Sequence, residues 1–295
     1  MSLHVDRHGV SGAPLLFIHG WGAHSGMWGD VLPQLATHFK VMAVDLPGHG
    51  YSRIEDRGSR IEGSAPSALK GEGDASLVLK GEEFGAAVLP FPLPPSRFSL
   101  DRIVDQLSAQ FTEPLSLCGW SLGGQVALRW AMRYPEQVQR LVLVAATPCF
   151  TQKADWPCAM ENDTLAAFSD ALRQDSAQTL RRFLGLQVRG GERERELLAI
   201  LRRSQALRDE PDFVSLQAGL EILRDSDLRD VLVKIKQSAL LIAGSCDTLT
   251  PLAAMQFMAA KLPQARLVTV EGAAHVPFLS HPEEFVKQVA DFLHE

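Results

Sequence analysis

Cysteine is scarce in this chain. The four present, Cys118, Cys149, Cys158 and Cys246, form no C-x-x-C pair and no Cys/His cluster at zinc-ligand spacing. That excludes a disulfide scaffold and a motif-type metal site, so neither metal nor cofactor is expected. Cys118 and Cys149 fall at the ends of expected strands and read as small buried hydrophobes. A Cys149–Cys158 bridge is disfavoured in a reducing compartment. Long apolar runs are also missing. No stretch is long enough to span a bilayer, and the N-terminus lacks a charged, apolar, small-residue leader. The expectation is a cytoplasmic protein with no membrane partner. Basic surplus is absent too. Lys plus Arg number 29 against 35 Asp plus Glu, for a net charge of −6. With no nucleic-acid-binding motif, that balance argues against a nucleic-acid partner.

What is present points to a catalytic serine. Gly119-Trp120-Ser121-Leu122-Gly123 is a G-x-S-x-G pentapeptide. The apolar Leu115-Ser116-Leu117-Cys118 leads in as a buried strand, and Gly124-Gln125-Val126-Ala127-Leu128-Arg129-Trp130-Ala131 leads out as a helix. A serine on such a strand-to-helix turn is exposed above a sheet, and small residues at 119 and 123 permit the sharp turn. By itself a glycine-flanked serine can also be an ordinary turn. Serine is a poor nucleophile unless a base stands beside it.

The partners are sought in the order Ser, then Asp or Glu, then His. Ser238-Ala239-Leu240-Leu241-Ile242-Ala243-Gly244 reads as a strand ending in Ser245-Cys246-Asp247, after which Thr250-Pro251 is expected to cap and open a helix. Asp247 therefore lies in a loop at the carboxyl end of a strand, where open α/β sheets place their ligand sites. Arg266-Leu267-Val268-Thr269-Val270 reads as the next strand, running into Glu271-Gly272-Ala273-Ala274-His275. Taken singly, Asp247 can be only the residue before a helix and His275 only a loop histidine. The three together, in order and each just past a strand, are hard to obtain by accident. His281 is the rival base, but Ser280-His281-Pro282-Glu283 resembles a capping box. Asp227, Asp230 and Glu271 are rival acids, and Asp247 is preferred. For the oxyanion hole the expected donors are the backbone N–H groups of Leu122, after the nucleophile, and Trp21, in the His19-Gly20-Trp21-Gly22 loop after strand 15–18. Trp21 can equally wall an acyl pocket. His19 is read as structural.

The expected architecture is α/β, a mostly parallel doubly wound sheet with a helical lid inserted between core strands. Strands are expected at 15–18, 40–44, 115–118, 140–145, 239–243 and 266–270, and helices at 99–111, 122–134, 251–262 and 282–294. Residues 1–150 and 231–295 form the core. Residues 151–230 lack strand signals and read as a helical lid, with Asn162 and Ser176 as N-caps and Pro211 ending its longest helix. Residues 53–98, rich in Gly, Ser, Glu and Lys, are expected to be a mobile insertion near the active-site mouth. Within it, Leu77-Val78-Leu79 and Phe84 can form a short strand, and Pro90-Phe91-Pro92-Leu93-Pro94-Pro95 a polyproline II spacer.

Charge is unevenly spread. Between 176 and 208 stand eight arginines, 181, 182, 189, 193, 195, 202, 203 and 208, against Glu192, Glu194 and Glu196. An acidic chain thus carries one basic segment on its expected lid. Solvated helix faces explain such charges in part. The alternative is a patch that steers an acidic substrate or substrate carrier.

The chain resembles the α/β-hydrolase superfamily over nearly its full length, apart from residues 53–98. The generic motifs are His19-Gly20-Trp21-Gly22 and Asp45-Leu46-Pro47-Gly48-His49-Gly50. Within the superfamily it is similar to the esterases of biotin synthesis that act on pimeloyl-acyl-carrier-protein methyl ester. That likeness rests on Gly119-Trp120-Ser121-Leu122-Gly123-Gly124, Pro148-Cys149-Phe150 with Asp155-Trp156-Pro157, and Arg182-Phe183-Leu184-Gly185-Leu186-Gln187. Gly219-Leu220-Glu221-Ile222-Leu223 and Ala273-Ala274-His275-Val276-Pro277-Phe278 are further shared stretches. The resemblance implies a triad of Ser121, Asp247 and His275 and an oxyanion hole at Trp21 and Leu122. It implies substrate contacts at Trp21, Phe183 and Gln187, and a monomer that binds acyl carrier protein. Arg182 and Arg195 match the family's carrier-binding arginines. Two others fall on Gln178 and Ala199, and Arg181, Arg202 or Arg203 are expected to compensate. Other readings are a generic carboxylesterase, a carbon–carbon-bond hydrolase, or a non-catalytic protein of this fold. A haloalkane dehalogenase is excluded, since it needs a carboxylate at position 121.

Overall fold

The computed structural model describes residues 3–53 and 98–295. The expected insertion at 53–98, with its short-strand and proline-run readings, lies outside the described residues in all but its end positions. In chain order the elements are β1 (Val5–His8), β2 (Pro14–Ile18), α1 (Val31–Leu35), β3 (Lys40–Val44), α2 (Leu100–Gln110), β4 (Leu115–Trp120), α3 (Leu122–Arg133) and β5 (Val138–Val144). Four helices follow: α4 (Asn162–Gln174), α5 (Ser176–Val188), α6 (Glu194–Gln205) and α7 (Phe213–Asp225). Then come β6 (Ser238–Gly244), α8 (Leu252–Lys261), β7 (Ala265–Val270), α9 (Pro277–Ser280) and α10 (Pro282–His294).

The strands form one sheet in the order β1-β3-β2-β4-β5-β6-β7. All pairings are parallel except β1 with β3, which is antiparallel. The expected α/β architecture is therefore the observed one. Alternating side chains feed two cores. Leu16, Ile18, Leu117, Leu141 and Leu241 face one, with α2, α3 and α8. Leu15, Phe17, Cys118, Val142 and Ile242 face the other, with α1 and α10. Burial on both faces is why the parallel strands read as unbroken apolar runs. Chain order reverses between β2 and β4, so their following loops open on a common crevice.

The sequence missed β1 because Val5-Asp6-Arg7-His8 is polar and half-buried, as a sheet edge permits. Several boundaries also shift. Asn162 lies inside α4, after Glu161 as N-cap. Ser176 opens α5, while Asp175 caps it by accepting from the Gln178 N–H. Pro211 does not end a long helix. The chain leaves α6 at Gln205, and Pro211 precedes Asp212, which caps α7 through the Ser215 N–H. Arg208, freed from the helix, reaches Asp6 on β1 at 2.6 Å and covers the Tyr51 ring. The expected Ser280 capping box does not form: His281 occupies the N-cap of α10, and Pro282 takes the first turn. Among the described residues no helix is long and apolar enough to cross a membrane. The four cysteines are all free.

Candidate active site

Ser121 stands between β4 and α3 with φ 55° and ψ −117°. A side-chain-bearing residue adopts that conformation only when its surroundings impose it. They do so through contact on both sides. The Ser121 N–H donates to Val144 O at 3.0 Å, and Ser121 O accepts from the Gly124 N–H at 2.9 Å. A Cβ on Gly119 would sit 2.3 Å from Gly123 O, and one on Gly123 would sit 2.1 Å from Ile18 O. Glycine at 119 and 123 is thus required by β4, α3 and β2 packing together. Leu122 is the first residue of α3, so its N–H has no intrahelical partner. The loop after β2 passes against the serine: a Cβ on Gly20 would lie 3.1 Å from Ser121 Cβ. Trp21 follows directly.

Asp247 and His275 come together. His275 Nδ1 lies 2.8 Å from Asp247 Oδ2, and both side chains are almost wholly buried. Asp247 also accepts from the Thr250 hydroxyl at 2.6 Å and from the Leu249 and Thr250 N–H groups at 2.8 and 3.0 Å. Burial pushes its carboxyl pKa up, but the adjacent His275 and these hydrogen bonds outweigh that and hold it below the usual carboxylate range. With Nδ1–H donating to a carboxylate, Nε2 keeps its lone pair and can accept a proton. Thr250, expected as a helix cap, spends its hydroxyl on Asp247, and Pro251 occupies the N-cap of α8.

The rivals do not gather here. Asp227 is bound by Arg229 at 2.7 Å. His281 contacts the Ser280 hydroxyl beside α10, and Asp230 and Glu271 are exposed. His19 is structural, as expected. Its Nδ1 lies 2.8 Å from Gly20 O, and its Nε2 accepts from the Leu46 N–H at 2.9 Å.

Trp21 is buried, and its indole N–H donates to Leu216 O on α7 at 2.8 Å. Its ring meets Phe183 edge-on at 4.9 Å and Phe168 at 5.5 Å. These three line an apolar cleft with Phe150, Met160, Leu165, Leu186, Leu220, Leu223 and Leu249. Among the described residues, Thr164 is the one polar residue on its wall. Gly219 on α7 is needed here, since a Cβ would meet Trp21 Cδ1 at 2.6 Å. Gln187 is not on the cleft wall. Its carbonyl accepts from the His275 N–H at 3.0 Å, and its buried Oε1 has no partner among the described residues. Two contacts were not legible in the sequence: this one and the Trp120 indole N–H, which donates to His275 O at 2.9 Å.

Arg181 and Arg182 on α5 and Arg195, Arg202 and Arg203 on α6 are exposed. Arg193 and Arg208 of the same segment are instead paired with Glu196 and Asp6. Gln178 and Ala199 are exposed on the same two helices. Among the described residues no cluster of three or more His, Cys, Asp or Glu is placed to hold a metal ion.

Comparison with known proteins adds a family and named relatives. The model of the alpha/beta hydrolase family matches residues 15–288. A protein of Nitrosomonas europaea is 42% identical over 285 residues, covering 97% of both chains. One of Nitrosospira multiformis is 37% identical over 292 residues, covering 99% of this chain and 98% of its own. Both are named pimeloyl-[acyl-carrier protein] methyl ester esterase. Among solved structures, an esterase from Exiguobacterium antarcticum superposes with a TM-score of 0.78 at 22% identity, over 99% of this chain and 96% of its own. That last likeness bears on fold alone.

Proposed function

The chain belongs to the alpha/beta hydrolase family, and from that membership we propose that it is a serine esterase that hydrolyses the methyl ester of pimeloyl-acyl-carrier protein. The observation that carries the esterase reading is the buried Asp247–His275 pair at 2.8 Å, in the loops after β6 and β7 of the sheet that also carries the strained Ser121. The named relatives supply the substrate.

In this reading His275 Nε2 takes the Ser121 hydroxyl proton as Oγ attacks the distal ester carbonyl. Asp247 holds the Nδ1–H tautomer and steadies the imidazolium. The Trp21 and Leu122 N–H groups receive the oxyanion, where one donor is typically worth about 10²–10³ in rate. The tetrahedral species collapses, His275 returns the proton to the methoxy oxygen, and methanol leaves. Water, deprotonated by His275, then attacks the acyl-enzyme. Collapse restores Ser121 and frees a carboxylate still attached to its carrier. Methyl ester and water thus become carboxylate, a proton and methanol.

The four helices between β5 and β6 act as the lid. Trp21 and Phe183 wall the acyl chain, whose burial is favourable by about 0.8 kcal/mol per methylene. Gln187 contributes at the histidine end of the site. Arg181, Arg182, Arg195 and Arg202 meet the acidic carrier, and Arg181 and Arg202 compensate for the uncharged Gln178 and Ala199 on the same helices. A cytoplasmic monomer is the setting.

Purified protein should release methanol from carrier-linked pimeloyl methyl ester with a far higher kcat/KM than from short p-nitrophenyl esters, and should leave ring-cleavage diketones intact. Ser121→Ala should abolish turnover and keep the fold. Preference for the small esters would reduce the reading to a generic carboxylesterase; diketone cleavage would replace it with a carbon–carbon-bond hydrolase.

A further inference from the structure

A triad works only if the base stays at one distance from the nucleophile. Asp247 fixes the tilt of the His275 ring, but not the position of the main chain that carries it. The loop after β7 that holds His275 turns through Gly272 at φ 72°. Both peptide groups of His275 are held by elements distant in sequence. Its N–H donates to Gln187 O near the end of α5 at 3.0 Å. Its C=O accepts from the Trp120 indole N–H at 2.9 Å.

Trp120 is the last residue of β4 and is joined by one peptide bond to Ser121. Its ring is buried to 1% exposure and cannot drift. Phe278 meets it edge-on at 5.1 Å, Trp28 at 6.1 Å, and the His275 ring lies 5.8 Å away. A buried indole N–H usually finds an acceptor. Here the acceptor is the carbonyl of the residue read as the base, and the donor is the neighbour of the residue read as the nucleophile.

We propose that Trp120 is a positioning residue, its indole N–H on the His275 carbonyl tying the base's main chain to the nucleophile's strand. The proposal rests on the reading of Ser121 and His275 as nucleophile and base. Trp120 is assigned no chemical step of its own. It acts through His275, with the Gln187 carbonyl as the opposing hold from α5. Errors of about 1 Å in such alignment cost on the order of 100-fold in rate.

The test replaces Trp120 in the full-length protein with 3-benzothienylalanine, which keeps the shape and exchanges N–H for sulfur. Trp120→Phe serves as the ordinary variant. On a short soluble ester the isostere should lower kcat by about 10- to 100-fold with KM unchanged. The pH profile of kcat/KM should move, and the melting temperature should stay within a few degrees. Its crystal structure should show the His275 main chain shifted relative to β4. Wild-type kcat and pH profile in the isostere would overturn the proposal, even if Trp120→Phe unfolds. Should the natural enzyme hydrolyse no ester, the esterase reading falls, and the crystal structure alone then decides: a displaced His275 supports the positioning role, an undisturbed one ends it.

Discussion

Asp247 is heavily bonded in the candidate site, and among the described residues the Thr250 hydroxyl at 2.6 Å is the one bond it makes to a side chain other than His275. A hydrogen bond to a charged group is worth about 1.5–3 kcal/mol. Thr250→Val keeps the shape and removes it, so kcat/KM on a soluble ester should fall on the order of tenfold and the melting temperature by several degrees. Undiminished kcat/KM would mean that Asp247 is held by its backbone donors alone. At this scale the sequence was informative where chemistry is local and silent where it is not. Ser121, Asp247 and His275 each announce themselves at a strand end, and the structure brings the last two into contact. Thr250 read as a helix cap because a hydroxyl before proline usually is one. That it faces Asp247 depends on the turn after β6. The Trp120 and Gln187 contacts span the fold, and no local pattern encodes them.

Among the elements, α5 and α6 carry arginines on an otherwise acidic chain. Arg182 and Arg195 are exposed and, among the described residues, make no ion pair, unlike Arg193 and Arg208. Unpaired exposed charge contributes little to stability and serves encounter better. Reversing Arg182 and Arg195 to Glu should raise KM for carrier-linked substrate at least tenfold at low salt and leave a small ester nearly unaffected. Equal effects on both substrates would remove the case for steering. The core elements were legible because parallel strands buried on both faces are unbroken apolar runs and α10 carries its stripe at Phe285, Val289 and Phe292. Ends were less so. α6 stops at Gln205 because Arg208 is needed at Asp6, a partner on β1 that the sequence did not reveal as a strand.

Across the molecule, three histidines among the described residues are buried outside the candidate site. Burial, reinforced by the nearby His49, holds His19 down at about 3. Burial likewise holds His24 at about 4 and lowers His49. An unfolded histidine titrates near 6.5, so below that pH the unfolded chain binds more protons than the native one. Stability is therefore complete above about pH 6.5 and lost as pH falls towards 4, by up to about 1.4 kcal/mol per pH unit for each group. The melting temperature should drop steadily over that window; a flat or rising profile would show these rings to be charged in the fold. Asp45 and Asp247, both held low, extend the loss to still lower pH.

If Ser121 attacks the distal ester as proposed, the acyl-enzyme carries the whole carrier protein. A carrier-linked pimeloyl p-nitrophenyl ester, whose rapid acylation lets the intermediate accumulate, should give on acid quench a covalent species of enzyme plus carrier mass. That species should map to Ser121 and vanish in Ser121→Ala. Nitrophenol release without such an adduct, or an adduct that carries the acyl chain but no carrier, would rule out attack by Ser121 on the distal ester.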